Sequence, residues 1–584
     1  MKSGGQSFLG GAFILMISSL SVRIIGAFFK IPLSAMIGGE GMGYYMTAYT
    51  VMGPAFAIST MGFSMAVSKL CSAASSHSRR EDRNEIISSA LILFTLMGMS
   101  LAIIIYTLSP ELLKLLGNEA ATKAVRSMVP AILFCCISSA FRGYFEGIGN
   151  MLPTALSQFI GAVTKLICGL LFSKLCIAKA VEEFEQYGTV MGEAVNNMTE
   201  AMSIAAPSAA AAAVSGVSVS TAVGCLVSAL IFIKTEQLKR KTTDKPVRFT
   251  YISSQLIKNA LPISAAALVI NLATIVDTIS VINRLNKAVE TNWKLLCLSR
   301  PELLMANIGP ERSANFLYGS YTGLAMTVFN LAPAFSASIG VCALPMISSL
   351  YARGNSITLK KRVESILRIT FIVAIPIGFG MCTMAEPIMN VLFSSNVYEA
   401  DIASDLLKVL GIASIFVAVS GVVNSILQAV GRIYVPLKLL IIGSTVKLII
   451  NWVLIAVPQI NISAAPYGTL FCYLFIMGAG MAVLFDSVKS NINLLSIIIK
   501  PIASAVFCCY SAKTAIKFME NIIFYPAATA ISIIIGALVY VLFLVILKGF
   551  DQSELELLGN NSKLNKLVYF YRLFPCKSHC DAVK

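Results

Sequence analysis

Fourteen stretches of mainly apolar residues, each more than 20 residues long, recur along this chain: 8–31, 44–69, 86–108, 124–147, 154–176, 207–233, 257–282, 315–343, 366–391, 405–429, 435–457, 466–487, 496–518 and 524–547. The hydrocarbon core of a bilayer is crossed by about 20 such residues in a helix. The composition agrees: 57% of the 584 residues are hydrophobic and 13% are charged, too little charge to cover a soluble surface. The expectation is an all-α polytopic membrane protein of about fourteen transmembrane helices. The weakest span is 207–233, whose alanine run at 209–213 is only mildly hydrophobic.

The net charge of +16 does not point to nucleic acid, because the basic residues are spread over short loops. Arg79, Arg80 and Arg83 fall in the second loop. Lys239, Arg240, Lys241, Lys245 and Arg248 fall in the sixth, and Arg353, Lys360, Lys361 and Arg362 in the eighth. Even-numbered loops share one side, which the positive-inside rule makes the cytoplasm. Both termini then lie inside, in the cell membrane. The acidic fifth loop (Glu182, Glu183, Glu185, Glu193, Glu200) falls outside, as does the long seventh with its mixed charges. Lys2 and the apolar run after it read as the first span rather than a signal peptide, since Arg23 and Lys30 interrupt the run. Most of the 14 cysteines sit in apolar segments as small hydrophobes. Cys576, His579 and Cys580 read as part of a cytosolic tail rather than a metal site.

The spans repeat. Gly161-Ala-Val-Thr-Lys165-Leu-Ile matches Gly443-Ser-Thr-Val-Lys447-Leu-Ile at an offset of 282 (447 − 165). Gly53-Pro54-Ala-Phe echoes Ala332-Pro333-Ala-Phe at 279 (333 − 54). Six spans separate the matched elements, so both halves keep one orientation. This predicts two pseudo-symmetric six-helix lobes around a central cavity: 1–235 (spans 1–6) and 257–490 (spans 7–12), joined by a cytoplasmic linker at 236–256. Spans 13–14 (491–550) and a cytoplasmic tail (551–584) lie outside the repeat. Pro54, Pro130, Pro207, Pro262, Pro333, Pro345, Pro376 and Pro526 lie in or at the ends of spans, as packing kinks or as hinges.

Charges inside the spans are the candidate site. A cation at bilayer depth costs roughly 3 kcal/mol, so it usually faces a partner or a wet cavity. Arg23 and Lys30, seven residues apart, share one face of span 1; Arg142 lies in span 4, Lys165 and Lys447 near the midplanes of spans 5 and 11, and Asp277 in span 7. Snorkelling to the headgroups is an alternative for Lys30, Arg142 and Arg284, and a structural ion pair with Asp277 can answer at most one cation. The surplus of cations predicts a cavity for an anion such as a diphosphate, which guanidinium groups bind through paired donors. No HExxH or GxxxxGK[ST] pattern occurs, so neither zinc hydrolysis nor ordinary ATP binding is expected. The reading is a carrier, not an enzyme.

Arg23-Ile-Ile-Gly26, Lys30-Ile-Pro32-Leu33 and Ile37-Gly38-Gly39-Glu40-Gly41 resemble the first-helix motif of the stage V sporulation protein B group, beside the lipid II flippases in the multidrug/oligosaccharidyl-lipid/polysaccharide exporter superfamily. Arg142-Gly-Tyr-Phe-Glu-Gly147, Ile275-Val-Asp277-Thr278 with Asn283-Arg284-Leu285, Leu317-Tyr-Gly319, Ala385-Glu-Pro-Ile-Met389 and Gln428-Ala-Val-Gly431-Arg432 carry the resemblance through spans 1–12. It implies a central cavity lined largely by spans 1, 2, 7 and 8, with Arg23, Lys30, Asp277 and Arg284 in it; Lys165 and Lys447, on spans 5 and 11, are further candidates for the same cavity, and Arg142 and Glu40 are secondary candidates. It also implies a groove on spans 13 and 14 for a polyprenyl tail. The long loop 283–314 departs from that group's shorter one. The implied function is flipping of a polyprenyl-diphosphate-linked saccharide, such as the peptidoglycan precursor lipid II, from inner to outer leaflet by alternating access, in vegetative growth or sporulation. A cation-coupled multidrug exporter of the same fold and a non-transporting envelope-assembly protein are the alternatives. The partners implied are the lipid-linked oligosaccharide and the bilayer, with cell-wall synthases as candidates; no cofactor is expected, and the coupling ion (Na+ or H+) and the oligomeric state stay open.

Overall fold

The computed structural model describes residues 8–76, 80–236, 249–354, 356–488, 494–547 and 549. Arg79, the basic run from Lys239 to Arg248 and the tail with Cys576, His579 and Cys580 lie outside the described residues. The chain is helical almost throughout, because in hydrocarbon every backbone N–H and C=O must be satisfied within its own segment. In order, the helices are α1 (Phe8–Ala57), α2 (Ser64–Ser76), α3 (Arg80–Leu116), α4 (Thr122–Met128), α5 (Pro130–Gly147), α6 (Leu152–Tyr187), α7 (Met198–Glu236), α8 (Phe249–Thr291), α9 (Trp293–Ser299), α10 (Glu302–Met305), α11 (Pro310–Gly319), α12 (Met326–Phe329), α13 (Leu331–Ala352), α14 (Ser356–Thr383), α15 (Ala385–Leu392), α16 (Val397–Ala429), α17 (Tyr434–Leu454), α18 (Ala464–Val488), α19 (Leu494–Met519) and α20 (Tyr525–Ile546). Two short strands, β1 (Thr189–Val190) and β2 (Glu193–Ala194), pair antiparallel between α6 and α7.

Twelve helical stretches among the described residues are long and apolar enough to cross a membrane. The first, Ile17–Ser75, holds both spans 1 and 2. Gly38 breaks it with φ 66° and ψ −177°, a left-handed φ that glycine adopts without a Cβ clash. The 22 residues from Ile17 to Gly38 make about 33 Å of helix, one bilayer crossing. Span 8 is a broken helix running through α11, a π-helical turn at Ser320–Ala325, α12 and α13. Proline acts in two ways: Pro130, Pro153, Pro310 and Pro526 open helices, where the missing N–H costs nothing, while Pro54, Pro207, Pro262 and Pro376 lie inside them.

The chain divides into two compact units. The first takes in the described residues up to Val328, with Leu392–Leu406 and Ser444–Gly468. Its longest contact is between α6 and α7. The weakly hydrophobic alanine run explains itself there: Ala205, Ala206, Ala209, Ala210 and Ala213 are all buried, and Gly216 comes so near α6 that a Cβ on it would lie 2.5 Å from the Gly169 nitrogen. Small residues let membrane helices approach.

The same device joins α1 to α11. A Cβ on Gly319 would lie 1.8 Å from the Gly39 carbonyl oxygen and 2.7 Å from the Gly43 nitrogen. Around this crossing the Asn315 amide donates to the Glu40 carbonyl (2.7 Å), the Asn118 amide donates to Asn315 (2.9 Å) and to Thr47 (3.0 Å), and the Gly39 N–H donates to Glu399 (2.8 Å). Gly319→Ala is therefore expected to destabilise the detergent-purified protein by about 1–3 kcal/mol through overpacking. Gly380→Ala, where a Cβ meets no atom within 4 Å, should be neutral or slightly stabilising. Equal thermal midpoints for the two variants would contradict this account.

The second unit takes in Phe329–Val391, Leu407–Gly443 and the described residues from Thr469 onward. Its core is aliphatic, with Ile347, Val363, Leu367, Val419, Val422, Val423, Ile426, Leu427 and Leu484 wholly buried. The buried Tyr540 hydroxyl donates to the Ile372 carbonyl at 2.7 Å, which ties α20 to α14 and removes an unpaired hydroxyl from the interior.

Candidate functional site: a cationic cavity and an ion-paired cluster

The predicted charges fall into two groups, both inside the first unit. The first lines a cavity of about 440 Å³ between α1, α5, α6 and α7. Each helix presents a stripe at helical spacing: Ser19, Val22, Arg23 and Gly26 from α1; Cys135, Ser138 and Arg142 from α5; Gln158, Gly161, Ala162 and Lys165 from α6; Thr221, Gly224 and Ser228 from α7. Intervals of three, four and seven keep such residues on one helix face. The lining carries three cations, several hydroxyls and no carboxylate.

Lys165 enters this cavity against two rings. Its ammonium lies 5.1 Å from the Phe29 ring centroid and 4.8 Å from that of Tyr49, and Tyr49 packs on Tyr45 with centroids 4.9 Å apart. Ring faces attract a cation and are worth about 2 kcal/mol when water is excluded, but they leave its net charge in place. Lys30 stands within electrostatic range of Lys165 and adds to the positive field. Arg142 has an acid nearby in Glu146, one turn further along α5. Among the described residues no carboxylate makes an ion pair with Arg23 or Lys165.

The second group joins α8 to α17. The Lys447 ammonium donates to Asp277 Oδ2 at 2.6 Å, and the Asn451 amide donates to Oδ1 at 2.8 Å. Lys447 and Asp277 keep 19% and 24% of their side-chain surface, so water screens the pair only weakly. Gly468 of α18 makes room: a Cβ there would lie 2.5 Å from Asn451 Oδ1 and 3.2 Å from the Lys447 stem. Arg284, two turns beyond Asp277, lies over the Trp452 ring at 3.3 Å.

The structure thus brings Arg23, Arg142 and Lys165 together with Lys30 close by, and Asp277 together with Lys447. The ion-pair alternative accounts for one cation, Lys447. The cavity's walls are spans 1, 4, 5 and 6, where the family resemblance implied spans 1, 2, 7 and 8; Lys165, a candidate for the cavity from the sequence, lines it. Glu40 lies in neither group. It sits at the turn after Gly38 and accepts from the Tyr44 hydroxyl at 2.9 Å. Burial pushes its carboxyl above the usual carboxylate range, against the opposing pull of Tyr44 and Arg312.

Sequence reasoning missed Asn451, Trp452, Gln158 and the aromatic pair Phe29 and Tyr49. A signal existed for Asn451, a polar residue four after Lys447 in an apolar helix. None existed for Phe29 and Tyr49, since aromatic residues in a span read as lipid-facing or core.

Comparison with known proteins finds similar chains named for polysaccharide biosynthesis and for lipid II flipping. A family model described as "Polysaccharide biosynthesis protein" matches residues 8–181, and one described as "Lipid II flippase MurJ" matches 319–548. The chain is 22% identical to stage V sporulation protein B of Bacillus subtilis, over 94% of this chain and 97% of that one. It is 25% identical to lipid II flippase MurJ of the same organism, over 81% and 82%. Among solved structures, lipid II flippase MurJ in an inward closed conformation shares the fold, with a TM-score of 0.60 and 16% identity over 91% of this chain and 98% of that one. The chain is thus similar along most of its length to stage V sporulation protein B and lipid II flippase MurJ, and it shares the fold of the latter.

Proposed function

We propose that this protein moves a polyprenyl-diphosphate-linked saccharide, of the kind that lipid II represents, from the inner to the outer leaflet by alternating access. The observation that carries the proposal is the cavity, in which Arg23, Arg142 and Lys165 meet no lining carboxylate. An anion relieves the cost of holding these cations at bilayer depth. The relatives named as lipid II flippases supply the substrate class. With even-numbered loops and both termini inside, the inside-negative potential drives an anion outward by about 2.3 kcal/mol per charge per 100 mV. The two lobes, 1–235 and 257–490, would provide the alternating surfaces, and spans 13 and 14 a path for the prenyl tail.

The multidrug-exporter reading is weaker here. A site for organic cations needs carboxylates, and Asp277 is already held by Lys447 and Asn451. The test is a flipping assay in liposomes of bacterial phospholipid, with fluorescent lipid II loaded in the inner leaflet. Protein-dependent appearance of the label outside is expected. Efflux of cationic dyes with no movement of lipid II would replace the proposal by the exporter reading.

A further inference from the structure

The short helices α9 and α10 of the seventh loop belong to neither the cavity nor the ion-paired cluster, yet they are held firmly. Asn292 caps α9 by accepting from the Leu295 N–H at 3.0 Å. Leu296, Cys297 and Leu303 are buried beneath them. The hub is the buried Arg300. Its guanidinium donates to Asn461 Oδ1 (3.4 Å), to Asp405 Oδ2 (3.3 Å) and to the Ser463 hydroxyl, a use of its several donors that no other side chain matches. The Ser299 hydroxyl donates to the Pro458 carbonyl (2.9 Å) and accepts from the Asn461 amide (3.0 Å). These bonds fix α9 and α10 to α16 and to the turn between α17 and α18. The same two helices turn apolar side chains outward: Leu298, Leu304 and Met305 are 78%, 61% and 65% exposed. A single such residue on a surface needs no explanation. Three on one rigidly held segment do, because water would meet a preorganised apolar face.

We infer that α9 and α10 are an interfacial anchor, whose Leu298, Leu304 and Met305 enter the outer leaflet just beneath the phospholipid headgroups. Continuity with α17 carries the argument. Ile449, Trp452 and Val453 are exposed toward the outer end of that spanning helix, where lipid covers them. Arg284 lies over the Trp452 ring, and tryptophan with a cation beside it suits headgroup depth. Helix α17 ends at Leu454, and Pro458, which Ser299 holds, follows four residues on (458 − 454). The loop is thus tied to the chain just beyond the lipid-facing stripe. Lys294, exposed on α9, meets the lipid phosphates. A protein partner fits less well, since the three side chains together offer roughly 400 Å², about half of what one partner buries in a standard interface. Interfacial elements of this kind bury their apolar face about 5–10 Å into the boundary of headgroups and acyl chains. The anchor holds the outer ends of α8 and α17, the helices that carry Asp277 and Lys447, at the lipid surface. The leaflet follows from the loop charges; the contact with lipid is independent of what the protein transports.

Fluorescence quenching by brominated phospholipid tests it on the full chain reconstituted in bilayers. The chain has two tryptophans, Trp293 and Trp452; with Trp293→Phe and Trp452→Phe in place, Leu304→Trp supplies a single reporter. Its emission should fall about twofold or more when the acyl chains are brominated just below the headgroups, and less when they are brominated near the bilayer centre. Glu193→Trp in the same background, at an exposed position of β2 in the fifth loop, should show no loss. Leu298→Trp repeats the measurement if the Leu304 variant does not fold. Equal emission in brominated and unbrominated bilayers overturns the inference and leaves a protein partner as the cover for these side chains. Stronger quenching from the bilayer centre overturns it too, because the helices would then lie within the hydrocarbon. A chain that is quenched as expected but moves no lipid II keeps the anchor and loses the transport reading.

Discussion

Replacing Asp277 by alanine is expected to destabilise the protein by about 3 kcal/mol, near the lower end of the range for breaking a buried ion pair because both side chains keep some exposure. The loss has two parts. The Lys447 ammonium loses its contact at 2.6 Å and the Asn451 amide its acceptor at 2.8 Å. The larger part is the lone ammonium left in an apolar helix, where no bulk water repays its hydration. Lys447→Met in the same chain should therefore recover most of the lost stability, since methionine has a similar reach without the charge. The double variant separates a charge effect from a packing effect. Unfolding in detergent, followed by near-ultraviolet circular dichroism, measures all three variants. A double variant no more stable than Asp277→Ala would show that the pair's electrostatics are not what holds α8 to α17.

The second large effect is on the transport proposed above. Arg23→Ala should reduce flipping of lipid II in the liposome assay about 10–100-fold, the loss of charge-assisted hydrogen bonds worth about 1.5–3 kcal/mol. Stability should hardly change, because among the described residues Arg23 makes no ion pair that its removal would break. This contrasts with Asp277: one variant is expected to lose stability, the other transport. Arg23→Lys should retain part of the activity, since it keeps the charge and gives up the paired donors. Wild-type flipping by Arg23→Ala would remove the residue from the transport path.

The two glycine crossings show how packing makes room for these polar sites. At Gly319 a backbone touches a backbone, and Asn315, Asn118 and Thr47 close a hydrogen-bond chain beside the contact. At Gly468 the missing side chain lets Lys447 and Asn451 reach Asp277. In both places glycine is used for proximity, and a polar group fills the space gained.

The helical, membrane-spanning character was legible in the sequence because it rests on local chemistry: about 20 apolar residues cross a bilayer as a helix wherever they occur. The intramembrane charges were legible for the same reason, since a charged side chain stands out in an apolar run. Which charges meet was not. Asp277 and Lys447 are 170 positions apart, and only the packing of α8 against α17 set that pair, leaving Arg23, Arg142 and Lys165 to face the cavity. The contrast between Lys447, paired with Asp277, and Arg23 and Lys165, which face the cavity, depends on distances of a few ångströms between helices far apart in sequence. Coulombic energy at low dielectric changes by kilocalories over such distances.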